Sequence, residues 1–245
     1  MAAAKKTWSI ITGAGSGIGR AIATQLAGGN RACRNVILVA DVGSEDGRQK
    51  IVDTLGKDDM VLNLVHNAGV IEPITPLMKL DLEAFRSIMR INVEGPLFLT
   101  QQLLSPPSPH LNHESRVLFV GSGAAHKPYH SWGGYCMSKA ALHMMYQVFK
   151  EEKTTVTSES GQDNMSTDSK DSIRPGVVDT PMQQTLRTAQ DFENVQFFKN
   201  LKEEGKLVSS EKVAKFIDFL LHDTEPDEFE RDEWDIRDAA HQSRW

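Results

Sequence analysis

Tyr135 and Lys139 stand four residues apart in "GGYCMSKAALHMMYQVFK", a stretch with helical apolar spacing, so they share one helix face. An ammonium beside a phenol favours the phenolate and lowers its pKa from about 10 toward the working range. Such a tyrosine can give a proton to a carbonyl or take one from an alcohol. Ser122 ends the apolar run "RVLFVGS", at the carboxyl end of a buried strand, where parallel sheets place ligands. Its hydroxyl can hydrogen-bond the reacting oxygen. Alone, each has a plain structural reading: a surface Tyr–Lys pair, or a capping serine.

A second constellation lies near the start. "ITGAGSGIGRAIATQLAGG" (11–29) carries glycine at every second position: Gly13, Gly15, Gly17 and Gly19. Glycine permits positive φ and lets a diphosphate approach the backbone. A strand-like run, "WSIIT" (8–12), precedes it, and an amphipathic run, "RAIATQLA" (20–27), follows. Strand, glycine loop and helix together make a dinucleotide site, because the helix N-terminus offers unpaired N–H groups and partial positive charge. Asp41 closes a second apolar run, "NVILVAD" (35–41). An acidic group there accepts hydrogen bonds from a ribose and repels a 2′-phosphate, which favours NAD(H); the nearby Arg48 could soften that preference.

These residues need a scaffold, and the chain alternates strand and helix patterns. Further strands are expected at 61–65 and 116–122. A long helix is expected over 82–104, capped by Asp81, with Phe85, Ile88, Met89, Val93 and Leu97 inward. Another covers 210–221, capped by Ser210. The pattern predicts an α/β fold: a Rossmann-like, doubly wound parallel sheet with helices on both faces, in a single domain over 1–245.

Composition narrows the partners. A net charge of −6 with scattered Lys and Arg argues against nucleic acid or an anionic membrane. Two cysteines, Cys33 and Cys136, lack metal-type spacing and suggest a reducing compartment. No apolar run approaches the ~18 residues of a membrane span, and the start leaves no room for a secretory signal. A cytoplasmic protein is expected. His126, His130 and His143 read as ordinary polar positions, and no metal is expected.

"TGAGSGIG" (12–19), "NAG" (67–69), Asn92 in "INVEGPLF", Ser122, "YCMSK" and "RPGVVDT" (174–180) stand in the order of the short-chain dehydrogenase/reductase family, which the chain therefore resembles. Ser122 precedes Tyr135 by the 13 residues usual there. The stretch 120–142 looks most like the fungal sepiapterin-reductase-like and benzil-reductase-like branch. The resemblance implies Tyr135 as acid/base, with Lys139 lowering its pKa and holding the nicotinamide ribose. Ser122 would orient the carbonyl, and Asn92 would kink its helix and hold a water linking Lys139 to solvent. Gly13, Gly15, Ser16, Gly17, Ile18 and Gly19 would cradle the cofactor. Asn67, Ala68 and Gly69 would line its adenosine side. Pro175, Gly176, Val178 and Thr180 would meet the nicotinamide end, Thr180 at the carboxamide. Ser16 stands where NADPH-preferring relatives often carry Arg or Lys, a second argument for NAD(H). The expected activity is NAD(P)(H)-dependent reduction of a small or aromatic ketone or diketone, or the reverse oxidation. Residues 182–206 would form a substrate lid, with Met182, Phe192, Phe197 and Phe198 shaping its apolar face. A homodimer or homotetramer through the helices after Leu82 and Tyr135 is also implied.

The chain departs from that pattern twice. Only 26 residues separate Asp41 from Asn67, room for about one helix. The family's third strand is inferred missing, which leaves the second as the sheet edge. The loop after that strand, which supplies an Asp and an apolar contact to adenine, is inferred lost with it. Then 158–172 is dominated by Ser, Thr, Asp and Lys where a buried sixth strand belongs. An exposed, mobile loop is expected there, with "TTVTS" (154–158) or the residues just before Pro175 filling a degenerate strand. The last strand must come from "EWDIRD" (233–238). The alternative function is a catalytically impaired relative that acts as a binding or regulatory protein.

Overall fold

The computed structural model describes residues 6–28, 36–55, 60–104, 115–152, 169–189, 192–230 and 233–245. Five parallel strands form one sheet in the order β1 (Lys6–Ile11), β2 (Met60–His66), β3 (Arg116–Val120), β4 (Ser169–Arg174) and β5 (Trp234–Asp235). The helices are α1 (Gly17–Gly28), α2 (Glu45–Thr54), α3 (Leu82–Met89), α4 (Gly95–Leu104), α5 (Gly133–Glu152), α6 (Pro181–Thr188), α7 (Val195–Glu203), α8 (Ser210–His222) and α9 (Pro226–Phe229).

Strand residues alternate between two helical layers, as the two-residue period of a strand requires. Val65, Leu118, Val120 and Ile173 pack on Ile22 of α1 and on Val213, Phe216, Ile217 and Leu220 of α8. Leu62, Leu64, Val117 and Phe119 face the other way, onto Leu99 and Leu103 of α4 and Leu142 and Tyr146 of α5. This is the doubly wound α/β sheet that the alternation predicts. No helix among the described residues is long and apolar enough to cross a membrane.

The expected helix over 82–104 is interrupted. Asp81 caps α3, accepting from the N–H groups of Glu83 and Ala84, both at 3.0 Å. A π-helical turn, Arg90–Glu94, then joins α3 to α4. Asn92 takes the inward place in that turn, and the fully buried leucines beyond it are Leu99 and Leu103, while Val93 and Leu97 are half-buried. At α8 the cap is Ser209, which accepts from Lys212 N at 3.1 Å, and Ser210 is the first helical residue.

The run expected as a second strand forms no ladder. Residues 36–40 carry no strand pairing, Ile37 and Val39 are 96% and 91% exposed, and Asn35 lies outside the described residues. Here the chain turns at Asp41 straight into α2, which Ser44 caps and which packs on α4. Among the described residues β1 is therefore the sheet edge.

The polar tract is corrected in its last part. Ser169–Arg174 is a central strand, with Asp171 and Ser172 buried, not an exposed loop. Residues 153–168, which include "TTVTS", lie outside the described residues. The residues just before Pro175 thus supply the degenerate strand. Burial of polar side chains there is offset by local partners. Ser172 N donates to Asp171 Oδ1 at 2.6 Å, Ser172 Oγ donates to Glu233 Oε1 at 3.3 Å, and Lys170 N donates to Glu230 Oε1 at 3.1 Å. The last strand is two residues long, and Ile236 N extends its contact by donating to Arg174 O at 3.2 Å.

Candidate active site

β1 ends in the glycine loop, and two contacts explain its residue types. Gly13 has φ +68°, and a Cβ there would lie 2.8 Å from Ala68 Cα. A Cβ on Gly19 would lie 2.4 Å from Gly13 O. At Gly15, by contrast, a Cβ would meet no atom within 4 Å, so the loop is open on that side. Thr12 fastens the loop from behind: its Oγ accepts from Asn67 N and Ala68 N, each at 3.0 Å. Asn67 Nδ2 donates to Thr12 O at 3.0 Å and to Gly13 O at 3.4 Å. Ile18 packs against the core, and Ser16 O accepts from Arg20 N at 3.1 Å to start α1. The loop therefore leaves an open backbone cradle at a helix N-terminus, which fits the diphosphate of a nicotinamide dinucleotide.

β3 carries the chain to Ser122, whose Oγ accepts from Ala124 N at 3.2 Å and is hydrogen-bonded to Tyr135. Tyr135 sits in the first turn of α5, 7% exposed. Burial pushes its phenol up to about 12, against the smaller opposing effect of the Ser122 hydrogen bond. Lys139 lies one turn on, also buried, and burial pulls its ammonium down to about 8. Its Nζ donates to Val120 O at 2.9 Å and lies 5.8 Å from the centre of the Tyr135 ring. The expected lowering of the Tyr135 pKa by Lys139 is thus not seen: burial dominates at the phenol, and the ammonium is aimed at a strand carbonyl. The pair is phenol and ammonium at neutral pH, the state that can donate a proton.

Asn92, 1% exposed, joins three elements. Its Oδ1 accepts from Val70 N at 2.8 Å, and its Nδ2 donates to Val70 O at 2.8 Å and to Ser138 Oγ at 2.9 Å. Ser138 in turn donates to Tyr135 O at 2.8 Å. Gly69 lies in this corner; a Cβ there would be 3.4 Å from Asn92 Oδ1 and 3.8 Å from Lys139 Nζ.

Other expected positions are placed differently. Asp41 Oδ1 accepts from Gly43 N at 2.9 Å, and Oδ2 is 3.6 Å from Arg90. Arg48 is turned inward, donating to Val42 O at 3.0 Å and lying over Phe98, so Arg90 and not Arg48 approaches Asp41. Pro175 and Gly176 (φ +74°) turn the chain after β4. Val178 is buried and bridges to Val208, while the Thr180 methyl lies 3.1 Å from a Cβ built on Gly17. The glycine loop and the Tyr135 corner therefore fit the cofactor.

Sequence reasoning missed Trp132. It is buried beside Tyr135, with ring centres 5.9 Å apart, stacks on Phe192 at 5.1 Å and meets Phe198 at a tilt at 5.6 Å. Met182 packs in the same cluster, but Phe197 is 54% exposed. An aromatic residue three positions before Tyr135 was the available signal. A mainly apolar cavity of about 280 Å³, lined in part by Leu77, Pro128, Tyr129 and Cys136, opens beside the first turn of α5.

The sequence pattern of the short chain dehydrogenase family matches residues 29–191. The chain belongs to this family. Benzil reductase ((S)-benzoin forming) of Bacillus cereus is 32% identical over 243 residues, covering 88% of this chain and 94% of that one. Sepiapterin reductase of Rattus norvegicus is 30% identical over 251 residues, covering 88% and 91%. Among solved structures, the KRED1-Pglu enzyme superposes with a TM-score of 0.78 at 27% identity, covering 93% of this chain and 99% of that one. The short-chain dehydrogenase described here is accordingly an NAD(P)-dependent oxidoreductase of small molecules.

Proposed function

We propose that this short-chain dehydrogenase reduces a small or aromatic ketone or diketone, with Tyr135 as the proton donor. The observation that carries this reading is the buried phenol of Tyr135, hydrogen-bonded to Ser122 and kept protonated by burial. Ser122 would orient the carbonyl oxygen, and Tyr135 Oη would pass its proton to that oxygen. Lys139 would leave Val120 O to hold a ribose, within a corner that Asn92 and Ser138 fix. The glycine loop from Gly13 to Gly19 would hold the diphosphate. The nicotinamide group, when bound, supplies the hydride. Trp132, Phe192, Phe198 and the apolar cavity beside Tyr129 favour a flat, apolar substrate, as does the likeness to the benzil reductase of Bacillus cereus.

For the cofactor, Ser16 and the half-exposed carboxylate of Asp41 favour NAD(H), although Arg90 offsets part of that charge. Steady-state reduction of aromatic ketones and 1,2-diketones with NADH and NADPH tests the proposal; no turnover with either cofactor would overturn it. The exposed residues 36–39 favour one other reading, a weakened relative that binds the cofactor without turnover. It predicts saturable binding with no hydride transfer in the same assay.

A further inference from the structure

Two histidines and a carboxylate that are far apart in sequence converge beyond the ends of β3 and β4. His126 follows the short helical turn Gly123–Ala125 that Ser122 caps. His143 lies two turns beyond Tyr135 on α5, and Glu233 immediately precedes β5. His126 Nε2 is 2.9 Å from Glu233 Oε2, and His143 Nδ1 is 3.4 Å from Glu233 Oε1. The two imidazoles meet edge to face, with centres 4.4 Å apart and planes at 77°. All three ligand atoms lie within 4.8 Å of one another.

We propose that His126, His143 and Glu233 form a site for one divalent transition-metal ion of the zinc type, separate from the Tyr135 centre. Two imidazole nitrogens and one carboxylate oxygen are a zinc donor set, with a water as fourth ligand. Bonds of about 2.0 to 2.2 Å in a tetrahedron put the donors roughly 3.4 Å apart. Reaching that spacing takes about an ångström of rotation from side chains that are 35% exposed at His126 and 20% at His143.

The surroundings suit such a site. Glu233 is 9% exposed, and its charge is held by Arg174 Nε, 3.1 Å from Oε2. Ser172 Oγ donates to Oε1 at 3.3 Å. Arg174 is itself tied to Asp235 at 3.3 Å, and the Glu233 carboxylate lies between the two imidazoles, with Oε2 toward His126 and Oε1 toward His143. His143 Nε2 lies 3.3 Å from the Gln147 side-chain amide, which, turned so that its Oε1 faces the ring, would accept from Nε2–H and leave Nδ1 free to ligate. An ion there would clip β5, whose ladder is two residues long, to α5 and to the turn behind Ser122. Its binding would replace the His126–Glu233 hydrogen bond with two metal–ligand bonds.

The test uses the full-length, untagged chain stripped of metal, titrated with Zn²⁺ by calorimetry and with Co²⁺ by absorption. One Zn²⁺ per chain, the intense visible bands of four-coordinate Co²⁺ and a raised melting temperature are expected. His126→Gln and His143→Gln should each weaken Zn²⁺ binding by at least about 100-fold, whereas His130→Gln should leave it unchanged. If His143→Gln does not fold, His126→Gln, at a more exposed position, decides alone. No Zn²⁺ binding at ~100 µM, or equal binding by the variants and the parent, would overturn the proposal.

Discussion

The ammonium of Lys139 donates to the carbonyl oxygen of Val120 at 2.9 Å, and so the end of β3 holds the group that sits beside the Tyr135 phenol. Burial sets both protonation states. Tyr135 is pushed up to about 12 and Lys139 pulled down to about 8.

The sign for pH dependence follows. A phenol at about 12 stays protonated through the assay range, so proton donation does not fail as pH rises. Lys139 is charged below about 8 and neutral above it. Reduction should hold steady at neutral pH and decline as pH rises through about 8, with cofactor affinity falling in step as the ribose-holding charge is lost. Alcohol oxidation needs the phenolate and, at saturating oxidised cofactor, should keep rising toward alkaline pH. Initial rates in both directions from about pH 6 to pH 10 check this. A reduction rate that climbs through pH 8 would contradict it.

Asn92→Ala should destabilise the fold. The alanine leaves Val70 N, Val70 O and Ser138 Oγ without their amide partner, at about 1 to 3 kcal/mol for each buried group left unpaired. A loss of about 2 to 4 kcal/mol in urea unfolding is expected, since the neighbours relax in part. A change below about 0.5 kcal/mol would show that the clamp contributes little.

Cofactor choice should shift with Asp41. NADH should bind more tightly than NADPH in the parent chain. Asp41→Ala removes a carboxylate and frees Arg90, now 3.6 Å away, to meet a 2′-phosphate. The gap should narrow by about tenfold, as charge-assisted hydrogen bonds of this kind would give. Separate dissociation constants for the two cofactors, by fluorescence titration, decide it. An unchanged ratio would remove Asp41 from the cofactor groove.

Much of the sheet was legible because its strands advertise themselves. "RVLFV" has an apolar character that only a buried strand satisfies, and the Tyr135–Lys139 spacing places both groups on one helix face whatever surrounds them. The protonation states were not legible, because they depend on how deeply tertiary packing buries α5. β4 was hidden for the opposite reason to β3: "SKDSIR" is polar, and its partners β3 and β5 and the carboxylates of Glu230 and Glu233 make it a strand. Residues 36–40 have strand character without a ladder, because an apolar run specifies a buried face but not the hydrogen-bonded neighbour a strand needs. The meeting of His143 with Glu233 spans 90 residues, beyond any local spacing rule.

Single-turnover oxidation of bound NADH by an aromatic 1,2-diketone, compared between the parent chain and Tyr135→Phe, tests the central claim most directly. The parent should bind the cofactor and consume it. Tyr135→Phe should bind it with nearly the same affinity and react at least about 100-fold more slowly, the contribution expected of a placed proton donor. Equal rates in the two proteins would contradict the assignment of Tyr135.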